Sequence, residues 1–271
     1  MILIVIIIIL YVLFENINKK NANISKLNRK LEDLNENEQE KEKQIKKYQL
    51  KEKIRKLKKE IRKIEKEMVK ALLITHEHID HVRGLKTFTR QYHVPIFATS
   101  GTLSHIPGGG MFSKYMQSIT ESIPIGNVMV HPFPILHDAV DPCGFRITGS
   151  YSCTIATDLG VVTDTVQNAI EDSDVLILEA NHDMDMLRKG RYPWSLKRRI
   201  LSNRGHLANS EAGWALTRMN HPPHKVLLAH LSEENNSPDL AEKTIKDILA
   251  SRGMILDIET CQPEGGAEII L

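Results

Sequence analysis

The hydrophobic and polar positions divide this 271-residue chain into three parts. Residues 2–14 are almost wholly apolar, residues 17–68 are highly charged, and from residue 69 onward short apolar segments alternate with polar turns. An apolar helix of this length spans only about 20 Å, against about 30 Å for the hydrocarbon core of a bilayer. We therefore expect residues 1–16 to form a hydrophobic segment that is either a marginal membrane anchor or a surface that packs on protein.

Residues 17–68 are predicted to form a long charged helix. They contain neither Pro nor Gly, and apolar residues recur at heptad spacing in two runs, residues 24–34 and 50–68. The two runs are out of phase, so coiled-coil pairing and self-association are expected chiefly in the second run. Residues 17–70 carry 19 Lys or Arg against 10 Asp or Glu, and we interpret these interleaved charges as a solvated helix face in preference to a nucleic-acid surface.

The pattern after residue 69 predicts a layered α/β domain over residues 69–271. Short apolar segments bounded by turns predict the strands ALLIT, VPIFAT, NVMVHPFPI, GFRITG, SCTIAT, DVLILEA, KVLLAHL and MILDIE. Helices are predicted for DTVQNAIED, NSEAGWALTRMN and SPDLAEKTIKDILASRG, the last with Ser237 as its N-cap and Pro238 at its first position. Strands that alternate with helices are typical of α/β folds.

Charge and cysteine content indicate where the protein works. The net charge of the chain is +2, but the part from residue 71 carries 17 basic against 23 acidic residues. The cysteines are too few and too scattered for a disulfide framework or a CxxC metal site, which favours free thiols in a reducing compartment. Two lysines follow the apolar segment, so the expected location is the cytoplasm, with residues 2–14 as a candidate tether to the inner face of the membrane.

A dense group of histidines and acids follows the first predicted strand. The stretch THEHIDH contains His76, His78, Asp80 and His81. His76 and His78 are two positions apart and point to the same side of an extended segment, whereas the next two ligands begin to turn toward a helix. Imidazole nitrogen and carboxylate oxygen suit Zn(II), and also Mn(II) or Fe(II). This spacing predicts a loop that gives two ligands to one metal ion and two to a second.

The HxHxDH motif resembles the first metal motif of the metallo-β-lactamase superfamily. Three later strand ends match further ligands of that family, since PILHDA supplies His137, IATDLG supplies Asp158 and LLAHLS supplies His230. The resemblance implies an αββα sandwich and two divalent metal ions, zinc or manganese. It assigns His76, His78 and His137 to one ion, Asp80, His81 and His230 to the other, and Asp158 to both.

Further stretches resemble the branch of the YycJ and WalJ proteins, which are regarded as metal-dependent 5′ to 3′ DNA exonucleases. They are HDAVDPCGFRI, LILEANHDMDML, YPWSLKRRILSNRGHLANSEAG and AHLSEENNSP, and GHLANSEA is also similar to the tail of tRNase Z. The resemblance covers about residues 65–271. It implies a two-metal phosphodiesterase that acts on single-stranded DNA ends, with an RNA-processing nuclease as the alternative in the same class.

The start of the chain departs from this family. Members normally begin with a β-hairpin, a loop similar to SGSSGN and a strand that ends in DAG, and none of these patterns occurs here. We therefore expect the sandwich to lack its usual first strands, with the charged helix or another chain covering the gap, unless the reading frame has been joined to a foreign N-terminus. A tethered interaction protein that carries an inactive remnant of the domain is the alternative from a different functional class.

Three residues are candidates for catalysis. Asp80 would orient the attacking water as well as bind metal. His206, in RGHLA, would hydrogen-bond the scissile phosphate or protonate the leaving oxygen. Glu179, in LEAN, would order a ligand histidine, or else be a buried structural carboxylate.

A basic segment that contains aromatic residues is the candidate substrate surface. Residues 186–210 carry seven Lys or Arg and no acid. Basic groups follow phosphates and aromatic rings stack on bases, which favours single-stranded DNA as the partner over an ordinary solvated loop. The candidate substrate-binding residues are Tyr192, Trp194, Lys197, Arg198, Arg199 and Arg204.

Overall fold

A computed structural model of the protein describes residues 6–7, 14–33 and 40–261. The chain divides into two compact units. The first contains Leu73–Leu85 and the chain from residue 96 onward, and the second contains Ile6–Leu72 and Lys86–Pro95. All the predicted metal ligands lie in the first unit, and the domain boundary at residue 69 stays a prediction.

The second unit contains two long helices where the sequence predicts one. They are α1 (Phe14–Asp33) and α2 (Glu40–Met68), and they contact each other. The ammonium group of Lys20 on α1 forms an ion pair with the carboxylate of Glu60 on α2. Because the two heptad runs are out of phase, one straight helix could not present both on a single stripe, whereas two helices can each present their own.

The apolar segment near the start is described only at Ile6–Ile7, which form the short strand β1. The rest of the predicted anchor before Phe14 lies outside the described residues. Among the described helices, none is long and apolar enough to cross a membrane. The tether, and the expected absence of the family's first strands, therefore stay predictions.

The strands form two sheets. Besides β1, the first sheet contains β2 (Leu72–Leu73), β3 (Ile96–Ala98) and β4 (Met116–Ser118). The second contains β5 (Ile123–Ile125), β6 (Val128–Pro134), β7 (Cys143–Thr148), β8 (Ser152–Ala156), β9 (Val175–Glu179), β10 (Lys225–Ala229) and β11 (Ile258–Thr260). The order is β1-β2-β3-β4 in the first sheet, with β3 and β4 parallel, and β11-β10-β9-β8-β7-β6-β5 in the second.

The remaining helices include all three that the sequence predicts. They are α3 (Ile79–Val82), α4 (Leu85–Tyr92), α5 (Ser100–His105), α6 (Asp164–Ile170), α7 (Met184–Lys189), α8 (Trp194–Ile200), α9 (Asn209–Thr217) and α10 (Pro238–Ser251), with a 3-10 helix at Gly109–Tyr115. The predicted cap of α10 is confirmed, since the Ser237 hydroxyl accepts a hydrogen bond from the Leu240 N–H at 3.3 Å. The three cysteines, Cys143, Cys153 and Cys261, are free.

The main core of the first unit lies between the second sheet and helices α6, α9 and α10. Leu176 and Leu178 of β9 are fully buried, as are Val226 and Leu228 of β10. Residues two apart on a strand share a face, so these pairs cover the helix side of the sheet. Burying each such side chain contributes about 1.5–3 kcal/mol relative to exposing it. This packing makes the sheet a rigid support for the loops at its edge.

The direction of the strands gathers the candidate site residues at one edge of the second sheet. Strands β8, β9 and β10 are parallel. Strand β6 runs in the same direction as β8, because both are antiparallel to β7. The carboxyl ends of these four strands therefore meet at one edge, and the residues at or just beyond them are His137, Asp158, Glu179 and His230.

Candidate metal centre

Four predicted ligands come from the loop that follows β2. The Thr75 hydroxyl oxygen lies 3.1 Å from His76 Nδ1 and 3.2 Å from His81 Nδ1. These contacts leave the Nε2 atoms of both rings available for a metal. Helix α3 begins at Ile79, and its first turn brings Asp80 and His81 to the same site as the two earlier histidines.

Three histidines form the first predicted ligand set. His78 Nδ1 lies 3.0 Å from His76 Nε2 and 3.3 Å from His137 Nε2. Two nitrogen ligands of one tetrahedral zinc, with bonds of about 2.0–2.1 Å, lie about 3.3 Å apart. His137 Nδ1 is in turn held by the carbonyl oxygen of Gly205 at 3.1 Å. These residues therefore fit one metal ion.

Asp158 lies between the first ligand set and the second. Its Oδ2 is 3.3 Å from His81 Nε2, and its Oδ1 is 3.3 Å from His230 Nε2 and 3.9 Å from His137 Nε2. Asp80 Oδ2 is 3.6 Å from His81 Nε2 and 3.7 Å from His230 Nε2. This places one carboxylate where it could bind two neighbouring ions.

Two buried atoms at this point, one on His81 and one on Asp158, have unsatisfied bonding capacity. His81 Nε2 and Asp158 Oδ2 are buried and have no hydrogen-bond partner among the described residues. A buried polar atom without a partner costs about 1–3 kcal/mol, and a metal ion would satisfy both atoms at once. The donor set of imidazole and carboxylate suits Zn or Mn. The arrangement thus fits the two divalent ions expected from the sequence.

The backbone turns sharply at two ligands. Asp158 has φ 59° and His230 has φ 58°, both in the left-handed region that costs most residues about 1–2 kcal/mol. Each ligand comes just after a strand of the second sheet, and the turn takes the chain out of the sheet there. Strain of this kind clusters at functional sites.

Glu179 is hydrogen-bonded to two histidines of the site. Its Oε1 accepts hydrogen bonds from His206 Nδ1 and His230 Nδ1, both at 2.8 Å. Its Oε2 accepts the backbone N–H groups of Leu159 at 2.9 Å and Leu207 at 3.2 Å. The carboxylate is fully buried. Glu179 is therefore placed to hold both rings in a fixed orientation.

Burial and charge set the protonation of the ligands. Burial lowers the pKa of His76, and it also lowers the pKa of His81 and of His137. These rings are therefore held in the neutral form that binds a metal. A hydrogen bond from the side chain of His230 lowers the pKa of Asp80, which keeps this carboxylate ionised.

The pKa values of the two histidines that are hydrogen-bonded to Glu179 shift in the opposite direction. Burial lowers the pKa of His206, but the negative charge and hydrogen bond of Glu179 outweigh it and raise the pKa above its ordinary value. For His230, burial is likewise outweighed by Asp158, Asp80 and Glu179, which raise its pKa well above the ordinary value. A metal at His230 must therefore displace a proton.

A cavity of about 670 Å³ opens beside Asp80, His206 and His230. Two of the predicted substrate-binding residues, Tyr192 and Arg199, line it. It is large enough for a small ligand next to the metal ligands.

The other predicted substrate-binding residues do not line this cavity. Lys197 is buried, and its ammonium group donates to the carbonyl oxygens of Arg188 and Gly190, each at 2.7 Å. In the structure the charge of Lys197 therefore fixes the turn between α7 and α8, and its predicted contact with substrate stays a prediction. Trp194, Arg198 and Arg204 are exposed, and their role stays a prediction.

Two residues at the site, Asp138 and Asn181, were given no role from the sequence. Asp138 Oδ1 lies 3.3 Å from His137 Nε2, and the same carboxylate accepts a hydrogen bond from Arg199 Nε. Asn181 donates from its side chain to the carbonyl oxygen of His230 at 2.8 Å. Position next to a ligand is the available signal for Asp138, whereas the Asn181 contact depends on the fold.

Residues 50–231 match the sequence model of a family described as the Beta-lactamase superfamily domain. Exodeoxyribonuclease YycJ of Bacillus anthracis is 36% identical over 191 residues, which cover 68% of this chain and 72% of that protein. Exodeoxyribonuclease WalJ of Streptococcus pneumoniae serotype 2 strain D39 is 34% identical over 201 residues, covering 70% of this chain and 73% of that protein.

A solved structure shows the same fold. The crystal structure of the metallo-beta-lactamase fold protein YhfI from Bacillus subtilis superposes with a TM-score of 0.56 at 19% identity, covering 73% of this chain and 77% of that one. The sequence matches, the fold and the paired ligand sets agree with one another. The chain therefore belongs to the metallo-β-lactamase-fold superfamily of metal-dependent hydrolases, in the branch of the YycJ and WalJ proteins.

Proposed function

We propose that this metal-dependent hydrolase is a two-metal phosphodiesterase that shortens DNA from its ends. The observation that carries the proposal is the position of Asp158, within 3.3 Å of the Nε2 atoms of His81 and His230 and 3.9 Å from that of His137. Two bound ions would supply positive charge to phosphate oxygens and would acidify a water molecule, which is the chemistry that phosphodiester hydrolysis needs.

Two side chains at the cavity have roles in proton transfer and orientation. Asp80 is ionised and lies next to His81 and His230, where it can accept a hydrogen bond from the attacking water. His206 is held at Nδ1 by Glu179, so its Nε2 is the atom left to donate to a phosphate oxygen or to the leaving oxygen. Glu179 itself is fully buried and hydrogen-bonded to both histidines, so we assign it to positioning them.

The substrate is proposed to be single-stranded DNA, degraded in the 5′ to 3′ direction. Both relatives at 34–36% identity are named exodeoxyribonucleases. The basic segment at residues 186–210 borders the cavity through Tyr192 and Arg199. The ring of Tyr192 can stack on a base, and the guanidinium group of Arg199 can bind a phosphate. This combination favours a nucleic-acid strand as the substrate.

The test uses full-length protein and a 5′-phosphorylated single-stranded DNA labelled at its 3′ end. With Mn(II) or Zn(II), we expect successive loss of nucleotides from the 5′ end, abolished by a chelator and by Asp80→Ala. A circular single strand distinguishes end-dependent cleavage from internal cleavage, and an RNA of the same sequence tests the RNA-processing alternative. Cleavage by wild type that does not exceed that of Asp80→Ala would refute the proposal.

The N-terminal part has two further proposed roles. Residues 2–14 are proposed to tether the chain to a membrane, and α2 to take part in self-association. The contact between α1 and α2 in one chain offers the apolar stripe of α2 an intramolecular partner, which weakens the second proposal. Extraction of membranes with alkaline carbonate tests the tether, and sedimentation velocity tests self-association.

A further inference from the structure

We propose that Asp138 positions the guanidinium group of Arg199 so that it binds the phosphate group that the two-metal site hydrolyses. This inference rests on the proposed phosphodiesterase function and adds to it the group that recognises the phosphate. It concerns one acidic side chain beside a metal ligand and one basic side chain that lines the cavity.

Asp138 lies directly beside the first ligand set. It follows His137 in the chain, and its Oδ1 is 3.3 Å from His137 Nε2 and 4.0 Å from His78 Nε2. Its Oδ2 belongs to the ion pair with Arg199. The carboxylate therefore joins the edge of the metal site to a cation.

Arg199 uses only part of its hydrogen-bonding capacity in this pair. The contact to Asp138 is made by Nε, and neither Nη atom has a hydrogen-bond acceptor among residues 14–33 and 40–261. A guanidinium group held at Nε presents its two Nη atoms as a fork, the geometry that binds two oxygens of one phosphate. The side chain is 55% exposed, so these atoms are accessible.

The position of Arg199 distinguishes it from its basic neighbours. It lines the same cavity as Asp80, His206 and His230. Lys197 on the same helix is buried and bonded to backbone carbonyl groups. In the described part of residues 186–210, Arg199 is thus the basic residue that faces the space next to the metal ligands.

A second set of hydrogen bonds connects the end of α8 to His137 of the first ligand set. The backbone N–H of His206 donates to the carbonyl oxygen of Ile200 at 3.0 Å, and the carbonyl oxygen of Gly205 contacts His137 Nδ1 at 3.1 Å. The turn after α8 is therefore held near His137, while Asp138 holds the side chain of Arg199. Such double support is what a group that must meet a phosphate at a fixed place requires.

The experiment measures phosphate binding separately from cleavage. Metal-loaded full-length protein is titrated with deoxythymidine 5′-monophosphate by calorimetry, and kcat and KM are measured on the 5′-phosphorylated oligonucleotide. The variants are Arg199→Gln, Arg199→Lys, Asp138→Asn and the double variant Asp138→Asn/Arg199→Gln. Arg218→Gln is the matched control, because Arg218 Nε also donates to a side-chain oxygen, that of Gln167 at 3.2 Å, but does not line the cavity.

We expect Arg199→Gln to weaken nucleotide binding and lower kcat/KM by about 10- to 100-fold, the range for lost hydrogen bonds to a charged group. Arg199→Lys should not restore binding, since an ammonium group cannot bond Asp138 and a phosphate as a fork. Asp138→Asn should weaken binding in the wild-type background and add little in the Arg199→Gln background, because coupled residues are not additive. Metal content should stay the same in all variants.

Three results would overturn the inference. They are nucleotide binding by Arg199→Gln as tight as that of wild type, an equal effect of Asp138→Asn in both backgrounds, and a loss of metal in Asp138→Asn. An effect of Arg218→Gln as large as that of Arg199→Gln would also overturn it, because loss of any positive charge would then weaken binding equally. If wild type cleaves no DNA but nucleotide binding depends on both residues, the proposed function fails while the phosphate site holds.

Discussion

Replacing Glu179 by Gln tests whether one buried carboxylate holds two histidines of the metal centre. Its oxygens accept four hydrogen bonds, two from the rings of His206 and His230 at 2.8 Å and two from the backbone N–H groups of Leu159 and Leu207 at 2.9 and 3.2 Å. Glutamine has nearly the same shape but offers one oxygen and one NH2 group. Whichever way the amide is oriented, two of the four donors lose their acceptor.

The size of the effect follows from this count. A buried donor left without an acceptor costs about 1–3 kcal/mol, so two cost about 2–6 kcal/mol of the free energy of unfolding. That is a large share of the about 5–15 kcal/mol typical of a folded protein. Loss of the carboxylate behind the ligand His230 should also weaken metal binding by about 10- to 100-fold.

Urea unfolding of the metal-free protein measures the first effect, and competition with a chromophoric chelator measures the second. Glu171→Gln is a matched control, because Glu171 Oε1 accepts the backbone N–H groups of Asn220 and His221 at 2.8 and 2.7 Å and glutamine keeps one such oxygen. This control should unfold as wild type does. If Glu179→Gln also matches wild type in both assays, the assigned role of Glu179 is incorrect.

Three other changes test separate features. Asp158→Asn should lower the affinity for both ions by more than about tenfold, measured as metal content after dialysis, and full retention of both ions would contradict the bridging role. Gly205→Ala places a Cβ 2.1 Å from the Ile200 carbonyl oxygen and should cost about 1–3 kcal/mol or more in urea unfolding, so unchanged stability would show that the turn relaxes. Burial lowers the pKa of His182 to about 4. Because the unfolded ring titrates near 6.5, the contribution of His182 to the free energy of unfolding should be full above about pH 6.5. It should fall by up to about 3 kcal/mol toward pH 4. His182→Gln should show a shallower fall, and an identical pH profile would be evidence against this origin.

The seven candidate metal ligands could be located in the sequence because each has a local signal. Four of them lie within the six residues of the HxHxDH motif, and the other three are polar residues at the ends of apolar strands. The sheet then brings His137, Asp158 and His230 together, since strand ends of like direction meet at one edge. For Asp138 the sequence offers only its position next to His137, because its proposed role depends on the contact with Arg199, 61 residues away.

Other parts of the fold depend on packing that the sequence pattern does not reveal. The segment MILDIE predicts a strand, but β11 begins only at Ile258. Met254 and Leu256 are apolar because they pack against the main core outside the strand. The long charged helix was predicted as continuous, and the phase change between its heptad runs was the signal that it is divided into α1 and α2.

The candidate metal ligands come from two parts of the first unit that are far apart in the chain, the loop after β2 and the edge of the second sheet. Bound ions would therefore cross-link these parts, and since the unfolded chain offers no such site, their binding energy adds to folding. At a metal concentration about 1,000 times the dissociation constant, the added stability is about 4 kcal/mol. In a cell short of metal, a larger fraction of the protein would be unfolded and open to proteases, so its abundance, as well as its activity, would follow the metal supply.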